Sequence, residues 1–348
     1  MTIEDSGPSI SGPWRWALFA LAVAGAIVFY LLTIPRTVPA SALPDRIPDL
    51  ANGEYMFNAG GCASCHAEPA VRCKDPKIKD PRLLGGGRCM RTDFGIFYVP
   101  NISPDKDTGI GTWTTLDFVN AMKRGIGPGG AHLYPAFPYG SYQRMTYEDL
   151  IDLKAYLDTL PAVKKASAPH NLTVPYNWRR VVGLWQLLYV DGETFKPDAD
   201  KSAKINRGKY LVEGPGHCGE CHTPRNDIGG LIASQAFAGA HNPEGKGKIP
   251  NITPSKDGVG DWSEEELVDF FTTGHTPDFD VVGGRMAQVQ ENLAKLRSED
   301  RAAIAAYLKS LPPLPDAVPR QGKDDHEEDA AGDEAEDASP ETPEEPAQ

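Results

Sequence analysis

From Trp14 to Ile34 the chain runs apolar, with one charge, Arg15, at its start. A helix of that length rises about 31 Å, matching the hydrocarbon core of a bilayer. Trp14, Trp16 and Tyr30 stand near its ends, where aromatic rings favour the membrane–water interface. Ala40-Ser41-Ala42 has the small residues of a signal cleavage site. The apolar run, however, is longer than the roughly 7–15 residues of a signal core. The pattern therefore predicts an N-terminal segment 1–13, an uncleaved single-pass anchor over 14–34, and a stiff spacer over 35–50 with Pro35, Pro39, Pro44 and Pro48.

Beyond the spacer the hydrophobic period is helical and strand signals are sparse. Thr114–Arg124, Thr146–Leu160, Ser263–Thr273 and Ser298–Leu311 are amphipathic, each opened by a hydroxyl residue suited to an N-cap. Residues 52–59 and 207–213 read as short helices. Pro175–Tyr189, with Trp178, Arg179, Arg180, Trp185 and Leu187, is too apolar for a free linker and predicts a helix packed on its neighbours. Its two arginines are expected on a solvated face.

An internal repeat decides the organisation. Gly53-Glu54-Tyr55, Cys62-Ala63-Ser64-Cys65-His66, Asn101-Ile102-Ser103-Pro104, Trp113 and Ala155-Tyr156-Leu157 recur in the same order. Their counterparts are Gly208-Lys209-Tyr210, Cys218-Gly219-Glu220-Cys221-His222, Asn251-Ile252-Thr253-Pro254, Trp262 and Ala306-Tyr307-Leu308. The offsets are 156, 150 and 151 residues for the Cys, Asn and Ala-Tyr-Leu units. The expected fold is mainly α: two tandem domains, 51–165 and 201–315, joined by a linker with a helix over 166–200. An acidic tail, 316–348, is expected to be disordered. The net charge of −13 is mostly that tail, since residues 321–348 hold twelve Asp or Glu and one Lys. No basic face suits a nucleic acid.

Each Cys-x-x-Cys-His unit has the spacing of covalent haem attachment. Two thioethers hold one porphyrin edge and the adjacent His reaches the iron. Cys62, Cys65 and His66 would hold one haem c, and Cys218, Cys221 and His222 a second. Zinc would want four N/S ligands brought together. A thioredoxin-type pair would want a βαβ setting. The sixth ligand separates functions: Met sulfur closes the iron and suits electron transfer, whereas an open iron suits small-molecule chemistry. Met286, expected on the Gly-rich loop Gly283-Gly284-Arg285, is the candidate for the second haem. For the first, Phe137 stands where the repeat would place a ligand. Met145 is the candidate there, with His132 as an alternative. Cys73 and Cys89 have no counterpart in the second copy. In an oxidising compartment they are expected to form a disulfide, contributing about 3 kcal/mol.

The stretch Leu83–Val163 resembles the cytochrome c subunits of bacterial membrane-bound alcohol and gluconate dehydrogenases. The residues that carry the resemblance are Leu84-Gly85-Gly86-Gly87, Phe94-Gly95, Asn101-Ile102-Ser103-Pro104-Asp105-Lys106 and His132-Leu133-Tyr134-Pro135-Ala136-Phe137-Pro138-Tyr139. The likeness continues through the second copy. Those subunits typically hold three haems and show Met where Phe137 stands; this chain departs on both points. The resemblance implies a periplasmic relay on the inner (cytoplasmic) membrane of a bacterium, within a respiratory chain. Its partners would be a dehydrogenase or quinol-oxidising complex on one side and an oxidase or soluble cytochrome on the other. The competing expectation is a dihaem enzyme, a peroxidase or sulfur-compound dehydrogenase, with one reactive iron.

Overall fold

A computed structural model describes residues 12–69, 73, 78, 80–243 and 247–318. The start of the N-terminal segment, up to residue 11, and the expected acidic tail from residue 319 lie outside the described residues. Helix α1, Gly12–Leu32, is exposed all round and is long and apolar enough to cross a membrane. It ends two residues short of Ile34. Pro35 disfavours helical backbone at the residue before it, and the Thr33 hydroxyl turns back onto the carbonyl of Phe29 at 2.7 Å.

The first half contains α2 (Leu50–Ala59), α3 (Cys62–His66), a hairpin of β1 (Cys89–Thr92) and β2 (Gly95–Tyr98), and α4 (Thr115–Arg124). A two-stranded ribbon, β3 (Ile126–Gly127) and β4 (Ala131–His132), leads to α5 (Tyr139–Tyr142) and α6 (Tyr147–Leu157). Strand β5 (Asn171–Leu172) pairs antiparallel with β2, with Gly95 opposite Leu172. This small sheet was not expected from the sequence. Its strands are two to four residues long, too short for an alternating pattern to show. The joining helix is α7 (Val182–Tyr189). The second half contains α8 (Ala203–Glu213), α9 (Gly219–His222), a ribbon of β6 (Ala240–His241) and β7 (Lys248–Ile249), α10 (Glu264–Thr273), α11 (Gly284–Leu293) and α12 (Ser298–Lys309).

The caps follow from residue type. Thr114 and Ser263 each accept a bond from the third helical N–H while the Asp117 and Glu266 carboxylates accept the N–H of the cap residue, forming capping boxes. Thr146 caps α6 through the Asp149 N–H. Ser298 does not cap: α12 begins at Ser298 itself, with Arg297 as its N-cap. A carboxylate-rich first turn, Glu299 and Asp300, supplies the favourable negative charge there.

Each half has its own apolar core. The first gathers Met56, Phe57, Leu84, Phe118, Met145, Leu150 and Leu153, and the second Tyr210, Leu211, Leu267, Phe271, Ile304 and Leu308. In both, the helix before the cysteine unit crosses the last helix at a glycine. A Cβ on Gly53 would sit 2.2 Å from the Asp152 carbonyl oxygen, and one on Gly208 1.9 Å from that of Ala303. Only a bare Cα lets these backbones touch.

The halves meet through a reciprocal pair. The Tyr55 hydroxyl donates to Asp300 at 2.5 Å and accepts from the Arg297 N–H. The Tyr210 hydroxyl donates to Asp149 and accepts from the Thr146 N–H. Tyr55 and Tyr210 are repeat equivalents, as are Asp149 and Asp300, so each half reaches into the other in the same way. This is the self-complementary pattern of an approximately two-fold interface. Asp300 also binds Arg207 at 2.7 Å. Burial works to raise the Asp300 pKa, but the bonds from Arg207 and Tyr55 outweigh it and hold it at about 2.

An acid titration of stability tests this arrangement. A carboxyl depressed from its ordinary 3.8 to about 2 favours the folded state once ionised. That contribution is fully present above about pH 4 and disappears as the pH falls through about 2. Discounted for solvent screening, it amounts to about 1 kcal/mol. The unfolding free energies of the parent chain and Asp300→Asn should differ at pH 6 and converge between pH 4 and pH 2. Parallel curves over that window would exclude the carboxylate as their origin.

Candidate functional site

The two cysteine units sit on short helical turns. Cys62 opens α3 after Gly61, whose left-handed backbone (φ 57°) reverses the chain at the end of α2. Cys218 precedes α9. Cys62, Cys65 and Cys218 are half-buried and Cys221 is exposed. Burial, reinforced by the second cysteine of each unit, pushes the Cys62 and Cys218 thiols up to about 12. Among the described residues, no three His, Cys, Asp or Glu side chains are grouped to hold a metal ion.

The histidines are held alike. His66 Nδ1 lies 2.9 Å from the Pro100 carbonyl oxygen, and His222 Nδ1 lies 2.7 Å from that of Pro250. Donation from Nδ1–H to a carbonyl fixes the tautomer and leaves the Nε2 lone pair for a metal. Each carbonyl comes from the residue just before the repeated Asn-Ile unit. Asn101 and Asn251 anchor that unit: their amides donate to Val163 and Leu314 carbonyls after the last helix of each half, at 2.7 and 2.9 Å. Gly86 and Gly239, both at positive φ, donate their N–H groups to the His66 and His222 carbonyls at 2.8 and 2.9 Å. A Cβ on Gly86 would strike the Pro100 carbonyl at 2.5 Å. Burial first, then the charge of Arg88, pulls the His66 pKa down to about 4, with the Pro100 bond opposing. Burial likewise lowers that of His222. Both rings are thus neutral and able to ligate.

The two units also face one another. Asn292 donates to the hydroxyl of Ser64, inside the first unit, at 2.9 Å. Ser141 donates to the carboxylate of Glu220, inside the second, at 2.8 Å. Ser64 and Glu220 are repeat equivalents, as are Ser141 and Asn292, so these contacts obey the same two-fold relation as the tyrosine pair. Between them the Tyr142 and His217 rings meet edge-on at 5.4 Å, and both point polar atoms at the Gly60 carbonyl.

The candidate sixth ligands lie in different settings. Met145 is fully buried in the first core, against which Cys62 packs. Buried Lys123 grips the carbonyls of Gln143 and Met145 and fixes that bend. Met286 is half-buried and packs on the second core, as Cys218 does. It lies on helix α11, not on the expected loop: Gly283 is the extended N-cap, and Met286, Val289 and Leu293 present one apolar face. In the first half Pro135 and Pro138 interrupt the matching stretch, and only the four residues of α5 are helical. His132 is committed elsewhere. Its two ring nitrogens lie 2.6 Å from Gln186 Oε1 and 2.9 Å from the Thr33 carbonyl, which ties α7 to the end of α1. Cys73 and Cys89 face each other with Cα atoms 4.9 Å apart, within the span a disulfide needs.

The cytochrome c family profile matches residues 50–161. A protein described as a dihaem cytochrome c-type, from Cereibacter sphaeroides, is 46% identical over 301 residues, covering 85% of this chain and 97% of that one. The chain belongs to the dihaem c-type cytochromes. It is also 36% identical to the fructose dehydrogenase cytochrome subunit of Gluconobacter japonicus and 35% identical to the gluconate 2-dehydrogenase cytochrome c subunit of Pantoea cypripedii. Those matches cover 84% and 81% of this chain but only 57% and 64% of the relatives. Haem c is thus the cofactor class of this cytochrome, and electron transfer its general activity.

Several functional contacts of the cytochrome escaped the sequence reading. The Pro100 and Pro250 carbonyls were legible in principle, since proline precedes Asn-Ile in both copies. The Ser64–Asn292 and Ser141–Glu220 bonds were not, because the partners differ in type between the halves.

Proposed function

We propose that the cytochrome carries two covalent haem c groups, one in each of two tandem cytochrome c domains, and relays electrons between them. Cys62 and Cys65 would form the thioethers of the first and Cys218 and Cys221 those of the second. His66 and Met145 would hold the first iron, and His222 and Met286 the second. When bound, the group supplies reversible one-electron chemistry at iron. The protein's part is to orient each imidazole through a proline carbonyl, to exclude water with the surrounding core, and to press the two attachment turns together. The observation that carries this reading is the pair of proline-held histidines on turns that meet across a reciprocal interface.

Helix α1 would anchor the chain in the bacterial inner membrane, with both domains on the periplasmic side and Cys73–Cys89 oxidised there. The electron donor would be a dehydrogenase or quinol-oxidising complex, and the acceptor an oxidase or soluble cytochrome. The chain would thus serve as an electron-transfer subunit and carry out no substrate chemistry itself.

A haem count by alkaline pyridine spectroscopy, combined with the near-red absorption band of Met-ligated ferric haem, tests the reading. Two haems per chain and a band of two-haem intensity are expected. Met145→Ala and Met286→Ala should each remove half the band while leaving the haem count at two. A single-haem band in the parent chain would remove one of the two Met assignments and make peroxide reactivity the next assay.

A further inference from the structure

The segment joining the two halves also touches the membrane helix. Residues 173–190 carry Arg179 and Arg180 and no carboxylate, and residues 33–44, directly after α1, carry Arg36 and no carboxylate. This stands out in a chain of net charge −13. Arg179 is exposed, as the sequence had suggested, and Arg180 is half-buried, yet both have partners in the fold. Arg179 donates to the His132 carbonyl at 2.9 Å and lies over the Tyr134 ring. Arg180 binds the Thr33 hydroxyl at 2.8 Å and the Tyr30 carbonyl at 3.1 Å, and covers the Tyr30 ring. The reason is sequence-distant: β4 offers Arg179 the His132 carbonyl and the end of α1 offers Arg180 its acceptors, neither of which a local pattern announces.

Ahead of these arginines the chain forms an apolar tip. The Trp178 ring lies 5.6 Å from that of Phe29, which stands three residues before the last residue of α1. Contact is thus made about 4–5 Å back along the helix from its end. Trp178 is 61% exposed and Val174 79% exposed. Two large apolar side chains are uncovered beside a helix that is itself apolar on every face. Arg36, just after α1, is exposed and lines a cleft with Leu32, Ile34, Arg124, Leu187 and Val190.

We propose that the turn Val174–Arg180 is a second membrane contact, seated on anionic phospholipid in the leaflet from which α1 emerges. Trp178 and Val174 enter the boundary between headgroups and acyl chains, where an indole ring with one polar edge is most favourably placed. Arg36 and Arg180 meet the lipid phosphates, for which a planar guanidinium is well matched. The continuity of this surface with α1, together with the arginines and the lack of carboxylates in residues 33–44 and 173–190, selects a bilayer as the occupant. A single helix leaves the attached domains free to swing and rotate. A second contact, joined to it by the His132–Thr33 and Gln186–His132 bonds, fixes the orientation of the haem-bearing halves above the membrane.

This inference rests on α1 crossing the bilayer, and one experiment separates the two statements. The full haem-loaded chain is placed in nanodiscs of phosphatidylcholine and phosphatidylglycerol that contain a phospholipid with a photoactivatable diazirine on its acyl chain. After irradiation, labelled peptides are mapped by mass spectrometry. Label is expected on α1 and on residues 173–181, with none on α10. Val174→Asp combined with Trp178→Asp should lose label at 173–181 and keep it on α1, with an unchanged haem spectrum. Omitting phosphatidylglycerol should reduce label at 173–181 alone. Label confined to α1 in the parent chain would overturn the second contact. Label on neither segment would overturn the anchor. Label at 173–181 that is indifferent to phosphatidylglycerol would overturn the anionic-lipid assignment.

Discussion

Replacing Gly208 with valine is expected to lower the stability of the second half by about 3 kcal/mol or more, the upper end of what overpacking costs. The Cβ would overlap the Ala303 carbonyl oxygen at 1.9 Å and crowd the Tyr307 Cβ at 2.7 Å. Both neighbours belong to α12, whose core-facing residues Ile304, Tyr307 and Leu308 hold it against α8. Relief would require separating the two helices along their whole contact. For a domain pair of this size the thermal midpoint should fall by roughly 6–12 °C. Gly53→Val should behave alike, because the Asp152 carbonyl lies at 2.2 Å from the added carbon. Circular dichroism melts of the haem-loaded chain would check both. A midpoint within about 2 °C of the parent would mean that the crossings are looser than drawn, since even a small loss of packing moves the midpoint by that much.

The double replacement Tyr55→Phe with Tyr210→Phe is expected to cost about 3 kcal/mol and to weaken the association of the halves. Each hydroxyl donates to an ionised carboxylate across the interface, and such bonds contribute about 1.5–3 kcal/mol apiece. Asp300 keeps Arg207 and Asp149 keeps Asn52, so neither carboxylate is orphaned; what is lost is the bridging bond and the acceptor for the Arg297 and Thr146 N–H groups. Chemical denaturation should change from one transition to two as the halves uncouple. Because the Ser64–Asn292 and Ser141–Glu220 contacts lie in the same interface, electron exchange between the two haems should also slow, as read by pulse reduction. A single transition at the parent midpoint would show that the apolar contacts alone join the halves.

The ability of each part to be read in advance followed the distance over which its cause acts. The bilayer-length helix, the capping boxes at Thr114 and Ser263, and the two Cys-x-x-Cys-His turns depend on residues within a few positions of each other. A sequence displays such causes directly. The repeat also made the equivalences visible, so Gly53 could be matched to Gly208 and Tyr55 to Tyr210. What it could not display is that equivalent residues reach across to the opposite half rather than into their own.

Met286 illustrates the same limit at short range. A pair of glycines reads as a loop, yet Gly283 serves as the extended cap and Gly284 starts a helix because Met286, Val289 and Leu293 find an apolar surface to cover. Arg179, Arg180 and His132 illustrate it at long range, since their partners, the β4 end for Arg179, the α1 end for Arg180 and both Thr33 and α7 for His132, are brought near only by the fold.

By itself, then, the sequence determined a mainly helical, duplicated chain with one membrane-length segment and two Cys-x-x-Cys-His turns. Each of these depends on local spacing or on composition. The tertiary structure alone decided the proline carbonyls that orient His66 and His222, the reciprocal bonds that press the turns together, and the latch between Thr33, His132 and Gln186. Those are pairings between residues far apart in the chain. Which donor meets which acceptor is set by how helices pack, and packing is a property of the assembled core.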